Sequence, residues 1–475
     1  MTPRPPQPFH VSRRRFLQSA SALAAASGLP LWYVKQSLAA DPEPQPASDK
    51  DKPNIALVGC GGRGGTDIQN ASRHGNVIGC CDVDAKHAAN TCKKFPGAQP
   101  YSDFRKLMER KDLHVIVTGT PDHWHTLVNI HAMRQGFDVY SEKPLTLTIE
   151  EGQKLIQVRD QTNRILQTGS QQRSDPRFRL AVELVRNGRI GKLLHIDTLL
   201  PRGATGGPFE QQPVPEGLDW DFWQGQAPRV PYVPQRCHGT FRYWWEYSEG
   251  TITDWGAHHN DIALWALDLL GPTTIEGKRL DQPIPGGYTT PSQYRIEYTY
   301  ANGVTHTCTS INDNPNGTPI VPETKAKTSS KKSNAKPTDS SVGPSKTTAK
   351  KANPGSNNGV RFTGTDGWIF VNRGRLEASD PSILEDPAHT TSIPWKDSSA
   401  NHMANFFSSI QTRKPPIAPA EVGHRSISVC HLGAISIRLG RKLTWNPEKE
   451  EFVNDPEANA MRSRKMHEPW GYDAV

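Results

Sequence analysis

Three groups of residues in this chain have types and spacings suited to chemistry. The first is Gly59-Cys60-Gly61-Gly62-Arg63-Gly64, a G-x-G-x-x-G turn between an apolar strand-like run and a helical run. Glycines there permit a tight turn and close backbone approach. A helix opening from such a turn aims free N–H groups and its positive dipole end at a pyrophosphate. Asp82 ends the next strand-like run, 18 residues beyond Gly64. A carboxylate in that place accepts hydrogen bonds from ribose hydroxyls and repels a 2′-phosphate, so the pattern predicts NAD rather than NADP. Arg63 fits a phosphate contact or a solvated charge equally well.

The second group is Glu142-Lys143-Pro144, at the end of a later strand run; the third is Asp254-Trp255-Gly256-Ala257-His258-His259-Asn260-Asp261, opening a long helical run. A hydroxyl-bearing carbon that loses hydride must also shed the hydroxyl proton, which a positioned His or Lys can take. Asp254 and His258 are four apart and predicted to share a helix face. The carboxylate could orient the imidazole or bind a substrate hydroxyl itself. Lys143 falls at a strand's C-terminal end, where open α/β sheets bind ligands, and its ammonium could stabilise an alkoxide. Pro144 is expected to keep the chain extended there. A metal held by His258, His259 and Asp261 is the weaker reading, and no metal is expected. His259 reads as packing or as a support behind the site residues, and Asp261 as a weak candidate.

In combination these motifs resemble the Gfo/Idh/MocA oxidoreductases (glucose–fructose oxidoreductase, inositol dehydrogenase and relatives), over roughly residues 54–440. The resemblance implies that Lys143, Asp254 and His258 line the place where substrate meets nicotinamide. It also implies that the loop Thr120-Pro121-Asp122-His123-Trp124-His125 crosses near the nicotinamide ribose. The cofactor set is then Gly59, Gly61, Gly62, Arg63, Gly64, Asp82, Thr120, Pro121, His125 and Glu142. For His123 and His125 capping and packing are equally good readings. The family further implies a dimer or tetramer associating through an open sheet, and some of its members are NAD-requiring glycosidases.

The elements that must position these groups follow from patterning. Strand and helix runs alternate from Asn54 to Gly169, which predicts an α/β Rossmann domain with a doubly wound parallel sheet over 54–175. Beyond it, runs such as Tyr294–Tyr300 and Val304–Ile311 predict an α+β domain over 176–400 with a largely antiparallel open sheet, and a helix is expected from Asp254 to Leu270. Helices near Asn401–Thr412 and Glu421–Leu439 are expected to pack back on the body, within a C-terminal region 401–475. Aromatics crowd the second domain: Trp220, Phe222, Trp223, Phe241, Tyr243, Trp244, Trp245 and Tyr247. Most are expected in the core, with one or two, Tyr243 or Trp244, facing a sugar. Arg202 and Arg242 are open between substrate contact and surface.

The 475 residues carry a net charge of +8, but residues 1–40 hold +5 and the Lys-rich stretch 322–358 holds +6, leaving the body about −3. A nucleic-acid partner is therefore not expected. Residues 1–40 read as a twin-arginine export signal, on Arg13-Arg14-Arg15-Phe16-Leu17, the apolar run to Val34 and the small residues Ser37-Leu38-Ala39-Ala40. Residues 41–53 read as a linker, and 322–358 as a disordered insertion. The apolar run is too short and too rich in Ala and Ser to span a membrane. Seven scattered cysteines without C-x-x-C read as buried small hydrophobes. The expected protein is periplasmic or otherwise exported by the twin-arginine machinery, with NAD tightly held and recycled, acting on a secondary hydroxyl of a sugar, glycoside or cyclitol. The alternatives are a redox-neutral glycosidase or lyase (oxidation, elimination, re-reduction) and a non-catalytic sugar-binding protein with structural NAD.

Overall fold

The computed structural model describes residues 21–25, 27–34, 52–312, 320–321, 358–385 and 401–475. The arginine motif and all of the 322–358 stretch but its last residue lie outside the described residues, as does all of the 41–53 linker but its last two residues.

The first domain is a six-stranded sheet of β1 (Asn54–Val58), β2 (Asn76–Cys81), β3 (Gln99–Tyr101), β4 (Val115–Thr118), β5 (Asp138–Ser141) and β6 (Leu166–Thr168), in the order β3-β2-β1-β4-β5-β6. Every pairing is parallel. Strand β4 reads Val-Ile-Val-Thr and is buried throughout, as a strand covered by helices on both faces must be. The edge strand β3 and the helix Phe104–Met108 are additions to the sequence reading. The strand is three residues with Pro100 at its centre, a pattern that resembles a loop and that only an edge position tolerates.

The second domain carries β7 (Leu193–Leu199), β8 (Thr274–Arg279), β9 (Tyr294–Thr299), β10 (Thr305–Thr309), β11 (Gly359–Gly364), β12 (Trp368–Val371), β13 (Leu376–Ala378), β14 (Leu443–Asn446) and β15 (Glu451–Phe452). The order is β13-β12-β11-β7-β10-β9-β8-β14-β15, and of these pairings only β7 with β10 is parallel. Strand β9 alternates buried and half-buried residues, as a sheet with one covered face requires. Helices Pro176–Arg186, Gly256–Leu267 and Ala420–Leu439 supply the cover and share one core with it.

The helix expected from Asp254 to Leu270 is two pieces. Thr251–Asp254 forms a single turn, Trp255 breaks it, and Gly256–Leu267 follows until Asp268 closes it in the left-handed conformation. The Lys143–Pro144 bond is cis rather than simply extended. All seven cysteines are unpaired and buried. Within the stretch read as a leader, Tyr33 and Val34 are buried in the second domain's core, and Trp32 Nε1 donates to the Leu384 carbonyl at 3.1 Å. Among the described residues no helix is long and apolar enough to cross a membrane.

The final segment returns to the first domain. Trp470 stacks on Phe222 at 5.3 Å and meets Trp124 edge-on at 4.8 Å, while Arg464 pairs with Glu249 at 3.3 Å.

Burial holds His123, His259 and His306 at about 3 and His402 at about 4, against an ordinary 6.5. Between these values and 6.5 the unfolded chain binds protons that the native chain refuses. Stability is therefore full above pH 6.5 and is lost as pH falls toward 3, by up to about 1.4 kcal/mol per pH unit for each group. Thermal melting at pH 7, 6 and 5 should show a steepening drop; a flat profile would contradict it.

Candidate active site

A cleft of about 480 Å³ runs between the domains, and the glycine turn forms one wall. Two of its glycines are there for space. Gly59 has φ of +89°, and a Cβ on it would lie 2.5 Å from the backbone of Gly119 and Thr120. A Cβ on Gly64 would meet the Gly59 carbonyl oxygen at 2.0 Å. Helix Gly62–Ala71 opens directly from this turn, with Gly61 at its N-cap and no side chain capping it. That leaves N–H groups for an anionic ligand. Asp82 is oriented by the backbone N–H of Cys60 at 2.7 Å and of Asp84 at 2.9 Å. These residues fit a dinucleotide: a bare helix start for its phosphates and a fixed carboxylate for its ribose. Thr120, Pro121, His125 and Glu142 line the same cleft.

Arg63 lines the cleft beside the glycine turn, as a phosphate contact would, but it is paired rather than a freely solvated charge. Its Nε lies 3.1 Å from Glu142 and its Nη2 2.8 Å from Asp67. Burial and the neighbouring Glu142 push the Asp67 carboxyl up to about 9, with Arg63 opposing them. Glu142 sits below the ordinary carboxylate range although it is buried, because Arg63 and Lys143 favour its charge. Gln171 donates to it at 2.8 Å. Glu142 is therefore a fixed anion in the cleft wall. His125 bridges two loops, with its ring nitrogens 2.6 Å from the Pro144 carbonyl and 2.9 Å from the Thr120 carbonyl. His123 and Trp124 both reach the Trp223 carbonyl, at 3.0 and 2.9 Å, and so pack the domains together.

The reacting end joins the two domains. Lys143 Nζ donates to Asp254 Oδ1 at 2.6 Å and to its backbone carbonyl at 2.8 Å. Arg242 Nε reaches the same carboxylate at 3.2 Å. Burial opposes ionisation of Asp254, but the two cations overcome it and hold its carboxyl at about 2. Asp254 consequently serves Lys143 and Arg242, and the expected pairing with His258 on one helix face does not form. The helix is interrupted between them at Trp255, and the His258 N–H bonds the Trp255 carbonyl. His258 lies in the cleft, buried, with Nδ1 unpartnered among the described residues. Burial first, then the charges of Lys143 and Arg373, depress it far below 6.5, so the imidazole is neutral.

His259 is fully buried and meets Asn358 at 3.3 Å, which is packing. Asp261 is structural: Arg173 grips it through two nitrogens at 2.8 Å, Ser426 donates to it, and it is fully buried. Asp261→Asn should cost about 3 kcal/mol, since Arg173 would lose its counter-charge. Denaturant unfolding would read this, and a loss below about 1 kcal/mol would contradict it.

Of the second-domain aromatics, Phe222, Trp223 and Phe241 line the cleft. Tyr243 and Trp244 are not among its lining residues. Trp244 is buried, with its indole N–H on the Gln235 carbonyl at 2.8 Å, and Tyr243 packs on Tyr288. Arg242 faces the cleft and Arg202 does not.

Two contributors escaped the sequence reading. Trp255 lines the cleft, and Arg373 stacks over its ring at 4.8 Å with no carboxylate in ion-pair range among the described residues. Burial and the nearby Arg63 charge lower the Arg373 pKa. Gln172, with its amide oriented to satisfy both ends, accepts from Arg373 Nε at 3.3 Å and donates to the His258 carbonyl at 3.0 Å. Asn372-Arg373-Gly374 reads as an ordinary hairpin turn, so nothing in its pattern marks a site.

A model of an oxidoreductase family with an NAD-binding Rossmann fold matches residues 53–170. One of the C-terminal alpha/beta domain of an oxidoreductase family matches residues 204–329 and 367–472. An inositol 2-dehydrogenase of Arthrobacter sp. (strain FB24) is 27% identical over 160 residues, covering 32% of this chain and 48% of that protein. A glycosyl hydrolase family 109 protein of Shewanella sp. (strain W3-18-1) is 26% identical over 211 residues, covering 39% and 45%. The chain thus spans about half the length of the curated relatives it matches. Among solved structures, GenD2 from gentamicin A biosynthesis in complex with NAD superposes with a TM-score of 0.58 at 14% identity, over 86% of this chain and 100% of that one. At that identity the likeness is one of fold.

Proposed function

Because the chain belongs to the Gfo/Idh/MocA oxidoreductase family, with an NAD-binding Rossmann domain and a C-terminal alpha/beta domain, we propose that it is an NAD-dependent oxidoreductase acting on a secondary hydroxyl of a sugar, glycoside or cyclitol. The observation that carries the reading is the meeting of Lys143 from one domain with Asp254 from the other, in the cleft that holds the glycine turn and is also lined by the neutral His258. The glycine turn and Asp82 would hold NAD, which supplies the hydride acceptor.

The chain's own part is proton and charge handling. Asp254 stays anionic and keeps the Lys143 ammonium aimed into the cleft. That ammonium faces the reacting hydroxyl and stabilises the alkoxide character it develops. His258, which lines the cleft, accepts the hydroxyl's hydrogen bond at a ring nitrogen and takes its proton as the C–H bond breaks. A weak base suffices, because the hydroxyl acidifies steeply as its carbon loses hydride.

Export by the twin-arginine route remains part of the proposal, supported by Arg13-Arg14-Arg15-Phe16-Leu17. With it goes a cofactor retained and recycled within the protein, and association into a homo-oligomer. The kinship with family 109 glycosyl hydrolases favours a second reading, redox-neutral cleavage of a glycoside.

One experiment separates the readings. Mass spectrometry of the purified protein tests for bound dinucleotide, and a screen of sugars, cyclitols and glycosides follows. Stoichiometric NADH supports the dehydrogenase, and free aglycone without net NADH supports the glycosidase. A loaded protein that turns over nothing supports a binding protein, and absence of any dinucleotide affinity overturns all three.

A further inference from the structure

The second domain also meets the first at the far end of the cleft, where Asp82 stands. There the loop after β2 is gripped by backbone. Asp219 N–H donates to the Val83 carbonyl at 3.0 Å, and Ala85 N–H donates to the Gly217 carbonyl at 2.9 Å. Beside this loop lies His238, which opens the helical turn His238–Tyr243 and has φ of +49°. A residue with a Cβ holds that conformation only where its surroundings impose it.

His238 Nε2 is 3.5 Å from Asp84, and its ring is 4.7 Å from the ring of His87. His87 Nδ1 in turn lies 3.7 Å from the Asp82 carboxylate. The strap is anchored behind: Cys237 and Phe241 are buried, and Arg236 lies over Trp244 at 3.7 Å while pairing with Glu246 at 3.0 Å. Asp82, His87, His238 and Gly239 line one continuous cleft with the glycine turn.

Resting on the NAD reading above, we propose that His238 is a dinucleotide-binding residue supplied by the second domain. Its imidazole, paired with that of His87, closes over the adenosine ribose that Asp82 orients, and it offers a ring to stack on a purine and a nitrogen to bond a ribose hydroxyl. A dinucleotide seated there is held by both domains, so its release requires the His238 strap to lift. The ligand class is a purine nucleoside diphosphate, recognised at its nucleoside end. Asp84, His87 and His238 each place one ligand atom within 4.8 Å of the others, so a metal ion is the rival occupant.

The test uses the full chain loaded with NADH. The variant is His238→Asn, because asparagine accepts the same positive φ and keeps the turn; His238→Gly serves as a second. Release is followed by the loss of bound-NADH fluorescence on mixing with excess NAD, and ADP-ribose and nicotinamide mononucleotide are each titrated as competitors. Both variants should release NADH about tenfold faster or more and weaken ADP-ribose comparably, with the mononucleotide unchanged. Release within about twofold of the unaltered protein would overturn the proposal. Equal weakening of both competitors would overturn it too, as would a stoichiometric metal ion that the variants lose. A protein whose unaltered form binds no NADH would instead refute the cofactor reading itself.

Discussion

Lys143→Met should leave the dinucleotide bound and lower turnover by about 10³-fold, within the range for a positioned proton-transfer or charge-stabilising group. Methionine keeps the stem's length and apolar character while removing the ammonium. Asp254 then retains Arg242, at 3.2 Å, as its ion-pair partner among the described residues. That residual pairing should spare the fold the full cost of an isolated buried charge. The informative comparison is kcat against dinucleotide affinity. A fall in kcat with affinity unchanged assigns the ammonium to the reacting end. Unchanged turnover would remove Lys143 from the chemistry, and loss of dinucleotide would recast it as part of the cofactor wall.

Gly64→Ala is expected to empty the same cleft by a different route. The added methyl would lie 2.0 Å from the Gly59 carbonyl oxygen, and both neighbours are backbone, so no side chain can swing aside. The turn must open and pull the start of the helix away from the phosphate position. The strain is on the order of 3 kcal/mol, and dinucleotide affinity should fall by more than about 100-fold. Gly65→Ala is the control: its nearest neighbour would be the Cys60 carbonyl oxygen at 3.5 Å, ordinary contact, and binding should persist. Calorimetric titration of both variants with NAD decides the matter, and native affinity in Gly64→Ala would sink the phosphate-cradle argument.

Much of this site was legible in the residues alone, because its motifs are local. A glycine turn, the carboxylate one strand later and a lysine at a strand end are separated by chain lengths that the alternation of strands and helices makes interpretable. Both domains could be read for the same reason: burial writes continuous apolar runs into β4 and alternation into β9. What escaped depends on distant segments meeting. The spacing of Asp254 and His258 implied a shared helix face, yet the helix is interrupted at Trp255 and the carboxylate pairs with Lys143, 111 residues away. Arg373 arrives from a hairpin and His238 from an irregular strap, and neither has a periodicity to betray it. Tyr243 and Trp244 were drawn toward the cleft by composition, but core burial claimed Trp244 and Tyr288 claimed Tyr243.

The returning segment around Trp470 sets a mechanical limit on the molecule. Its indole is wedged against Trp124 of the nucleotide domain and Phe222 of its neighbour, while Arg464 is pinned to Glu249 beyond them. Two lobes stitched in this way cannot swing apart as hinged jaws without first unpicking that seam. Traffic into and out of the interior should therefore go by small local breathing rather than wholesale opening. Loosening the seam, as in Trp470→Ala, would trade confinement for speed of exchange.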